Sequence, residues 1–334
     1  MRPMFAAILA LPLLAVGPQS AVAGDGTISL GLPVDCAIGE RCVVQFHVDR
    51  RAGPEIGDYR CGRLSYDGHR GTDFRVLSAD DFDSGIAVLA AAAGTVVATR
   101  DGMADIDVGV LGRANVENRA GGNLVILAHQ GGWETHYLHL RKGSLAVARG
   151  DVVAAGARLG VIGLSGDTNF PHLHFEVRRA RHAIVDPFDV LPVSPACDRA
   201  TQPLWTAEAL AQLAYRPVLG RVGFAPRMID RRHATYESTP RALSAAEVPA
   251  LFFWAEIYGL ARGDTISVQW RLADGGWKRP ATKVWQSDLP YDFTIGRLVE
   301  PPPLPAGTYA VRLRVERKGA TGPLLDTVDS IGLE

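Results

Sequence analysis

Pro171-His172-Leu173-His174-Phe175-Glu176 is the stretch whose pattern decides the fold. Apolar Leu173 and Phe175 alternate with polar neighbours, which is the two-residue period of a β-strand with one packed face. Residues two apart on a strand project from the same face, about 7 Å from each other. The pattern therefore predicts a strand that buries one face and carries two imidazoles side by side on the other.

Similar strand signals lie on both sides of this stretch. Short runs of apolar and β-branched residues, such as 94–99 and 123–127, end at turns rich in Gly, Asn and Asp. After the N-terminal apolar stretch, helical periodicity is found only near residues 206–214. We predict an all-β, antiparallel domain that ends near residue 195.

A second set of strands follows a Pro-containing stretch at residues 191–203. Runs at 251–257, 265–272 and 308–315, separated by turns, predict a small Ig-like β-sandwich. A chain of 334 residues also exceeds one typical domain. The predicted organisation is a first domain at 24–200 with an N-terminal extension stapled by a disulfide, a linker at 201–215, and a sandwich of unknown role at 216–334.

The N-terminus has the pattern of an export signal. Arg2 precedes an apolar stretch at residues 5–16, and Ala21-Val22-Ala23 has the small residues of a processing site, which predicts a signal peptide at 1–23. No later segment has the length of a membrane span. We therefore expect an exported protein that acts in the periplasm or outside the cell.

The charge balance gives no indication of a polyanionic partner. Lys and Arg number 35 against 36 Asp and Glu, so the formal net charge is -1. Nucleic acids and anionic membranes bind proteins through a basic patch or stripe. We expect no nucleic-acid partner and no membrane span.

Four cysteines remain after the predicted signal: Cys36, Cys42, Cys61 and Cys197. In an exported protein an even number favours disulfides, although four cysteines allow three pairings that the sequence does not distinguish. Our prediction is Cys36 with Cys42 and Cys61 with Cys197. Zinc ligation by cysteine is the alternative, but the five-residue gap between Cys36 and Cys42 is wider than close metal-ligand spacing.

Three histidine clusters carry the candidate chemistry: Gly68 to Asp73, His136 to Leu140, and Pro171 to Glu176. A catalytic zinc takes three protein ligands and keeps one position for water, and His69, Asp73 and His174 supply that number. The helical His-Glu-x-x-His arrangement is absent, so His139 and His172 become the acid and base candidates.

The same residues resemble a known family. His69-x3-Asp73, Tyr137-Leu138-His139-Leu140 and the His172-Leu173-His174 strand look like the three motifs of the lysostaphin and LytM-type zinc metallopeptidases. The resemblance covers about residues 61–189. It implies the family's antiparallel fold of the duplicated-hybrid-motif type. It also implies one Zn²⁺ on His69, Asp73 and His174, catalytic roles for His139 and His172, and hydrolysis of the peptide cross-links of peptidoglycan.

Other functions stay open at this stage. A non-catalytic wall-binding or activator protein would use the groove only to hold peptide, with the sandwich docking a protein partner. Zinc amidase or carboxypeptidase action on the same polymer is a third alternative. All five candidate residues are present, which favours the endopeptidase.

Overall fold

Two groups of antiparallel strands make up the protein in a computed structural model. It describes residues 26–179, 182–192, 200–215, 218–230, 240–287, 289, 291–298 and 303–334. The predicted signal peptide lies outside these residues. Within them, no helix has the length and hydropathy of a membrane span.

The first group contains ten strands and three short helices among the described residues. The strands are β1 Cys42–Phe46, β2 Thr72–Val76, β3 Ala87–Leu89, β4 Gly94–Arg100, β5 Asn123–Ala128, β6 Trp133–Leu140, β7 Val152–Val153, β8 Arg158–Val161, β9 His172–Arg179 and β10 Ala183–Val185. The helices are α1 Ala79–Ser84, α2 Val108–Leu111 and α3 Ala207–Gln212. Short 3₁₀ turns occur at Arg113–Asn115, Glu117–Arg119 and Gln130–Gly132.

The large sheet of this group places the site on its central strands. Its order is β1-β2-β9-β6-β5-β4-β7, with β10 beside β9, and every pairing is antiparallel. β3 and β8 form a separate antiparallel pair. The all-β, antiparallel prediction for this part of the chain is confirmed.

Strand alternation gives the sheet one apolar face. Phe74 of β2 lies opposite Leu173 of β9, and both are fully buried in a core with Phe175 and Tyr137. The neighbouring rungs are polar: Asp73 pairs with His174, and Arg75 pairs with His172. Because directly opposed residues project from the same face, these four side chains lie on the face opposite the core.

The second group contains the remaining strands: β11 Val218–Ala225, β12 Ala242–Leu243, β13 Phe252–Tyr258, β14 Thr265–Arg271, β15 Ala281–Val284, β16 Tyr291–Arg297, β17 Gly307–Glu316 and β18 Leu325–Leu333, with a 3₁₀ turn at Ala245–Glu247. They form two sheets, β11-β13-β16 and β12-β18-β17-β14-β15. Only the β12 and β18 pair is parallel among these described strands. Phe253 and Ile257 of one sheet share a core with Trp270 and Leu313 of the other, so the two sheets pack as a sandwich.

The segment predicted as a linker, 201–215, instead packs on the first core. Leu204, Trp205, Ala209 and Leu213 are buried there. The Trp205 ring lies 5.7 Å from that of Phe175 and 5.4 Å from that of Phe188. The physical reason is the apolar area of Leu204, Trp205 and Leu213, which is more stable buried against the core than in water. The division at 24–200 and 216–334 remains our proposal for the domain boundaries.

The local disulfide is confirmed. Cys36 is bonded to Cys42, with 6.3 Å between their Cα atoms. The bond joins the start of β1 to the segment before it. Cys197 lies outside the described residues, so its pairing with Cys61 stays a prediction.

Candidate metal centre

Three side chains from separate stretches of chain converge on one point. His69 Nε2, Asp73 Oδ1 and His174 Nδ1 form a triangle with edges of 3.1, 3.2 and 2.8 Å. All three residues are buried. Atoms bound to a tetrahedral zinc at its usual bond lengths lie about 3.3 Å apart, close to the size of this triangle.

Hydrogen bonds on the far side of each imidazole fix which nitrogen faces the point. His69 Nδ1 donates to the carbonyl of His47 at 2.7 Å, which leaves the Nε2 lone pair toward Asp73. His174 Nε2 donates to Glu176 Oε1 at 3.2 Å, which leaves the Nδ1 lone pair toward Asp73. Two lone pairs and a carboxylate oxygen therefore meet in a buried space, and such a set of donors fits a divalent cation.

The charge state of the cluster agrees with that view. Burial opposes a charge on Asp73, but the facing imidazoles of His69 and His172 hold its pKa well below the usual value. Burial also lowers the pKa of His174, yet its bonds to Asp73 and Glu176 raise it overall to about 9. Without a metal, a proton would thus be drawn to the place that a cation can occupy.

The two remaining histidines flank the triangle. The His139 and His172 rings lie 4.7 Å apart, and the His139 ring lies 6.0 Å from that of His174. His172 Nε2 lies 3.6 Å from Asp73 Oδ1. The structure thus brings together all five residues predicted from the sequence.

Both flanking imidazoles are neutral at pH 7. Burial is the largest cause: it lowers the pKa of His172 to about 4, against the attraction of Asp73. Burial and the neighbouring His172 and His174 hold the pKa of His139 well below its usual value. His139 Nδ1 donates to the carbonyl of Ser165 at 2.7 Å, and His172 Nδ1 donates to the carbonyl of Phe170 at 3.0 Å. Each Nε2 is therefore a free acceptor for a proton.

His139 reaches the site through a left-handed backbone. Simple alternation along β6 would turn His139 into the core with Tyr137, and would place His136 on the face away from His139. In the structure His139 has a φ of 61°, which breaks the alternation. His136 lies opposite Glu176 and so belongs to the same face of the sheet as His174. The expected separation of His136 and His139 on opposite faces is therefore wrong.

A buried turn supports this strained residue. Ser165 Oγ donates to the carbonyl of Leu140 at 2.7 Å and accepts from the backbone N–H of Asn123 at 2.9 Å. The backbone N–H of His139 donates to the carbonyl of Gly121 at 3.0 Å. Gly122 has a φ of 60°, and a Cβ there would meet the Ser165 carbonyl oxygen at 2.2 Å.

Two functional positions were not assigned roles from the sequence. Glu176 orients His174, while Arg178 Nε donates to Glu176 Oε2 at 2.7 Å. Burial raises the pKa of Glu176, but these bonds lower it overall to about 2. Gly71 lies so close to His174 that a Cβ would meet its Nε2 at 2.7 Å. The spacing of Glu176 two residues after His174 on one strand was the signal for its role.

A cavity of about 490 Å³ is lined by Pro171, which precedes β9, and by Arg75 of β2, but by none of the five candidate residues. Leu164, Phe82, Ile106 and Val110 give it an apolar wall. Arg221 also lines it. The cavity has the size and character of a site for a small organic group.

Comparisons with known proteins match one part of the chain. The profile of Peptidase family M23 covers residues 67–187. Cell division protein DipM of Caulobacter vibrioides is 43% identical over 76 residues, which are 21% of this chain and 12% of DipM. Peptidoglycan DD-endopeptidase ShyA of Vibrio cholerae is 32% identical over 109 residues, which are 33% of this chain and 20% of ShyA. The chain thus spans a fifth or less of these two relatives.

Among solved structures, the catalytic domain of the prophage-encoded M23 protein EnpA from Enterococcus faecalis is 20% identical. The match covers 49% of this chain and 96% of that domain, with a TM-score of 0.32.

Proposed function

Residues 67–187 form a domain of peptidase family M23, and from this premise we propose that the protein is a zinc-dependent endopeptidase that hydrolyses peptide cross-links of peptidoglycan. The observation that carries the proposal is the buried triangle of His69 Nε2, Asp73 Oδ1 and His174 Nδ1, with two neutral imidazoles beside it. The name of the relative ShyA supports the substrate class.

His69, Asp73 and His174 would hold the zinc. When bound, the ion supplies Lewis acidity, which acidifies a water molecule and polarises the carbonyl to be attacked. Glu176 keeps the His174 ring in place and favours the tautomer with a free Nδ1.

His139 and His172 would move the proton. Because both Nδ1 atoms donate to backbone carbonyls, each ring can accept a proton only at Nε2. A ring that takes the proton of the attacking water becomes a donor at that same atom. It can then stabilise the oxyanion or protonate the leaving amine.

The site of action would be the periplasm or the cell exterior. The predicted signal peptide at 1–23 and the Cys36–Cys42 disulfide support this, because disulfides persist in oxidising compartments. Peptidoglycan lies in the same compartments, so substrate and protein would meet there.

The test combines two histidine variants with a defined digest. We expect His174→Ala to lose both bound zinc and hydrolysis, and His172→Ala to keep zinc while turnover falls at least about 100-fold. Zinc is measured by elemental analysis, and products from defined muropeptides by mass spectrometry with and without chelator.

The products separate the alternatives. A new amine and carboxylate at a cross-link identify the endopeptidase, whereas release of a terminal residue or a whole stem peptide identifies a carboxypeptidase or an amidase. Binding to the wall without any chelator-sensitive product would overturn the enzymatic proposal and favour the wall-binding alternative.

A further inference from the structure

Strand β13 of the sandwich is buried on both of its faces. All seven residues of Phe252–Tyr258 are buried. Phe253, Ala255 and Ile257 point into the sandwich core. Glu256 and Tyr258 alternate with them and so project from the other face, the outer face of the sandwich, which usually meets water. Residues of the first domain cover Glu256 and Tyr258 instead, while Trp254 on the same face packs within the sandwich.

The contact across this interface is centred on a buried guanidinium. Arg75 of β2 is 1% exposed. Its Nη2 donates to Glu256 Oε2 at 2.7 Å, and its Nη1 donates to the Tyr258 hydroxyl at 2.7 Å and to Gln45 Oε1 at 3.1 Å. A buried charge needs a partner charge and good hydrogen bonds. The sandwich therefore supplies the counter-charge of an arginine that belongs to the first domain.

Arg75 is one step from the catalytic candidate His172. The two residues are directly opposed on β2 and β9. The Arg75 guanidinium carbon lies 4.7 Å from the centre of the Phe170 ring, and the Phe170 ring stacks on the His172 ring at 4.5 Å and 30°. The carbonyl of Phe170 also accepts a hydrogen bond from His172 Nδ1. Phe170 thus transmits the position of Arg75 to both the plane and the tautomer of His172.

A second path leads from the same strand to the metal triangle. The Tyr258 ring packs edge-on against Phe46 at 5.7 Å, and Phe46 packs edge-on against His69 at 6.0 Å. Tyr258 therefore contacts two residues of the first domain: its hydroxyl accepts from Arg75, and its ring packs against Phe46.

We propose that Glu256 and Tyr258 are positioning residues for the catalytic site, so that the sandwich completes the site instead of only being attached to it. Both hold His172 through Arg75 and Phe170, and Tyr258 also supports His69 through Phe46. The inference rests on the proposed function for its kinetic readout, whereas its spectroscopic readout needs no hydrolysis.

The first test compares Tyr258→Phe with Tyr309→Phe. Tyr309 is a matched control, because it is also buried in the sandwich and its hydroxyl donates to the carbonyl of Pro305 at 2.9 Å. In ¹⁵N-histidine-labelled protein, we expect the His172 Nδ1 proton to exchange with water at least ten-fold faster in Tyr258→Phe than in the wild type or in Tyr309→Phe. With substrate, kcat should fall about ten-fold in Tyr258→Phe at unchanged KM. Equal exchange and equal kcat in the two variants would overturn the proposal.

The second test separates positioning from attachment. Replacing the ion pair by two apolar residues, in the double variant Arg75→Met with Glu256→Met, can restore stability that either single change removes. We expect the double variant to have the thermal midpoint of the wild type, but a faster exchange of the His172 Nδ1 proton and a lower kcat than the wild type. Recovery of slow exchange together with the midpoint would show that the pair only joins the domains. If no variant or wild-type protein hydrolyses peptide, the proposed function fails, and the exchange data still decide the inference.

Discussion

At the scale of single residues, the site depends on atoms that touch no ligand. Gly71 allows the closest approach: a Cβ there would meet His174 Nε2 at 2.7 Å and the Phe175 carbonyl at 2.8 Å. Neither neighbour has room to withdraw, because His174 is bonded on both sides and Phe175 lies in the core. The motif places a glycine here because any larger residue would displace a ligand candidate.

We therefore expect Gly71→Ala to weaken zinc binding about 10- to 100-fold, in the range of changes next to metal ligands. Competition with a chromogenic chelator measures the affinity. Gly31→Ala is the control in the same domain, since its Cβ would lie 3.6 Å from the nearest atom, the Ala91 carbonyl. Wild-type affinity in Gly71→Ala would contradict the role of the close approach.

Asp186 makes stability depend on pH. Burial raises its pKa to about 7, although the Phe188 N–H donates to its Oδ1 at 2.9 Å. The unfolded chain ionises this carboxyl near pH 4 while the folded chain keeps the proton up to about pH 7. Below pH 4 the ionisation of Asp186 thus leaves the free energy of unfolding unchanged. From pH 4 to pH 7 it lowers that free energy progressively.

We expect Asp186→Asn to remove this loss, because the amide oxygen can still accept from Phe188. Relative to the wild type, the variant should gain free energy of unfolding between pH 4 and pH 7, by at most about 4 kcal/mol. Urea unfolding at both pH values measures it. A constant difference between the two proteins across this range would contradict the assignment.

At the scale of elements, the strands were predictable and their irregularities were not. Runs at 94–99, 123–127 and 265–272 correspond to β4, β5 and β14 within one residue at each end. Period and turn residues are local properties, so a sequence shows them directly. The left-handed φ of His139 is not local: Gly121, Ser165 and Asn123 impose it through bonds that cross the fold.

The turn at Ser165 should therefore matter for catalysis more than for metal binding. Ser165→Ala removes a bond to the Leu140 carbonyl and leaves the buried Asn123 N–H without its acceptor, which costs about 1–3 kcal/mol. We expect lower stability and at least a ten-fold lower kcat, with zinc content unchanged.

Ser144→Ala provides the comparison, because Ser144 Oγ also accepts a backbone N–H, that of Val161 at 3.1 Å, but holds no candidate site residue. The role of the turn would be refuted if the two serine variants had the same kcat.

At the scale of the whole molecule, the five candidate residues could be found from the sequence, whereas the place of the sandwich could not. Ligand types and spacing identify chemistry without coordinates. The partner of Arg75 is 181 residues away, and nothing in the local sequence of β13 distinguishes Glu256 from a solvated charge. The burial of Glu256 and Tyr258 depends on contacts with the first domain, which the sequence of β13 does not show.

This packing predicts one cooperative unfolding transition for the two domains. Chelator should lower the midpoint of this single transition, because bound zinc stabilises the folded state by mass action and the chelator removes it. Differential scanning calorimetry with and without chelator measures the shift, and His174→Ala should show none. Two separate transitions, of which chelator moves only one, would contradict the coupling.

The pairing of Asp73 with His174 on adjacent strands has a consequence for how such proteins diversify. These two residues are fixed to each other by a single rung, yet 100 residues of chain separate them. Insertions in the intervening loops leave the rung untouched, whereas a slip of one residue would turn one partner to the opposite side. Loops between β2 and β9 can thus change in length while Asp73 and His174 stay in register.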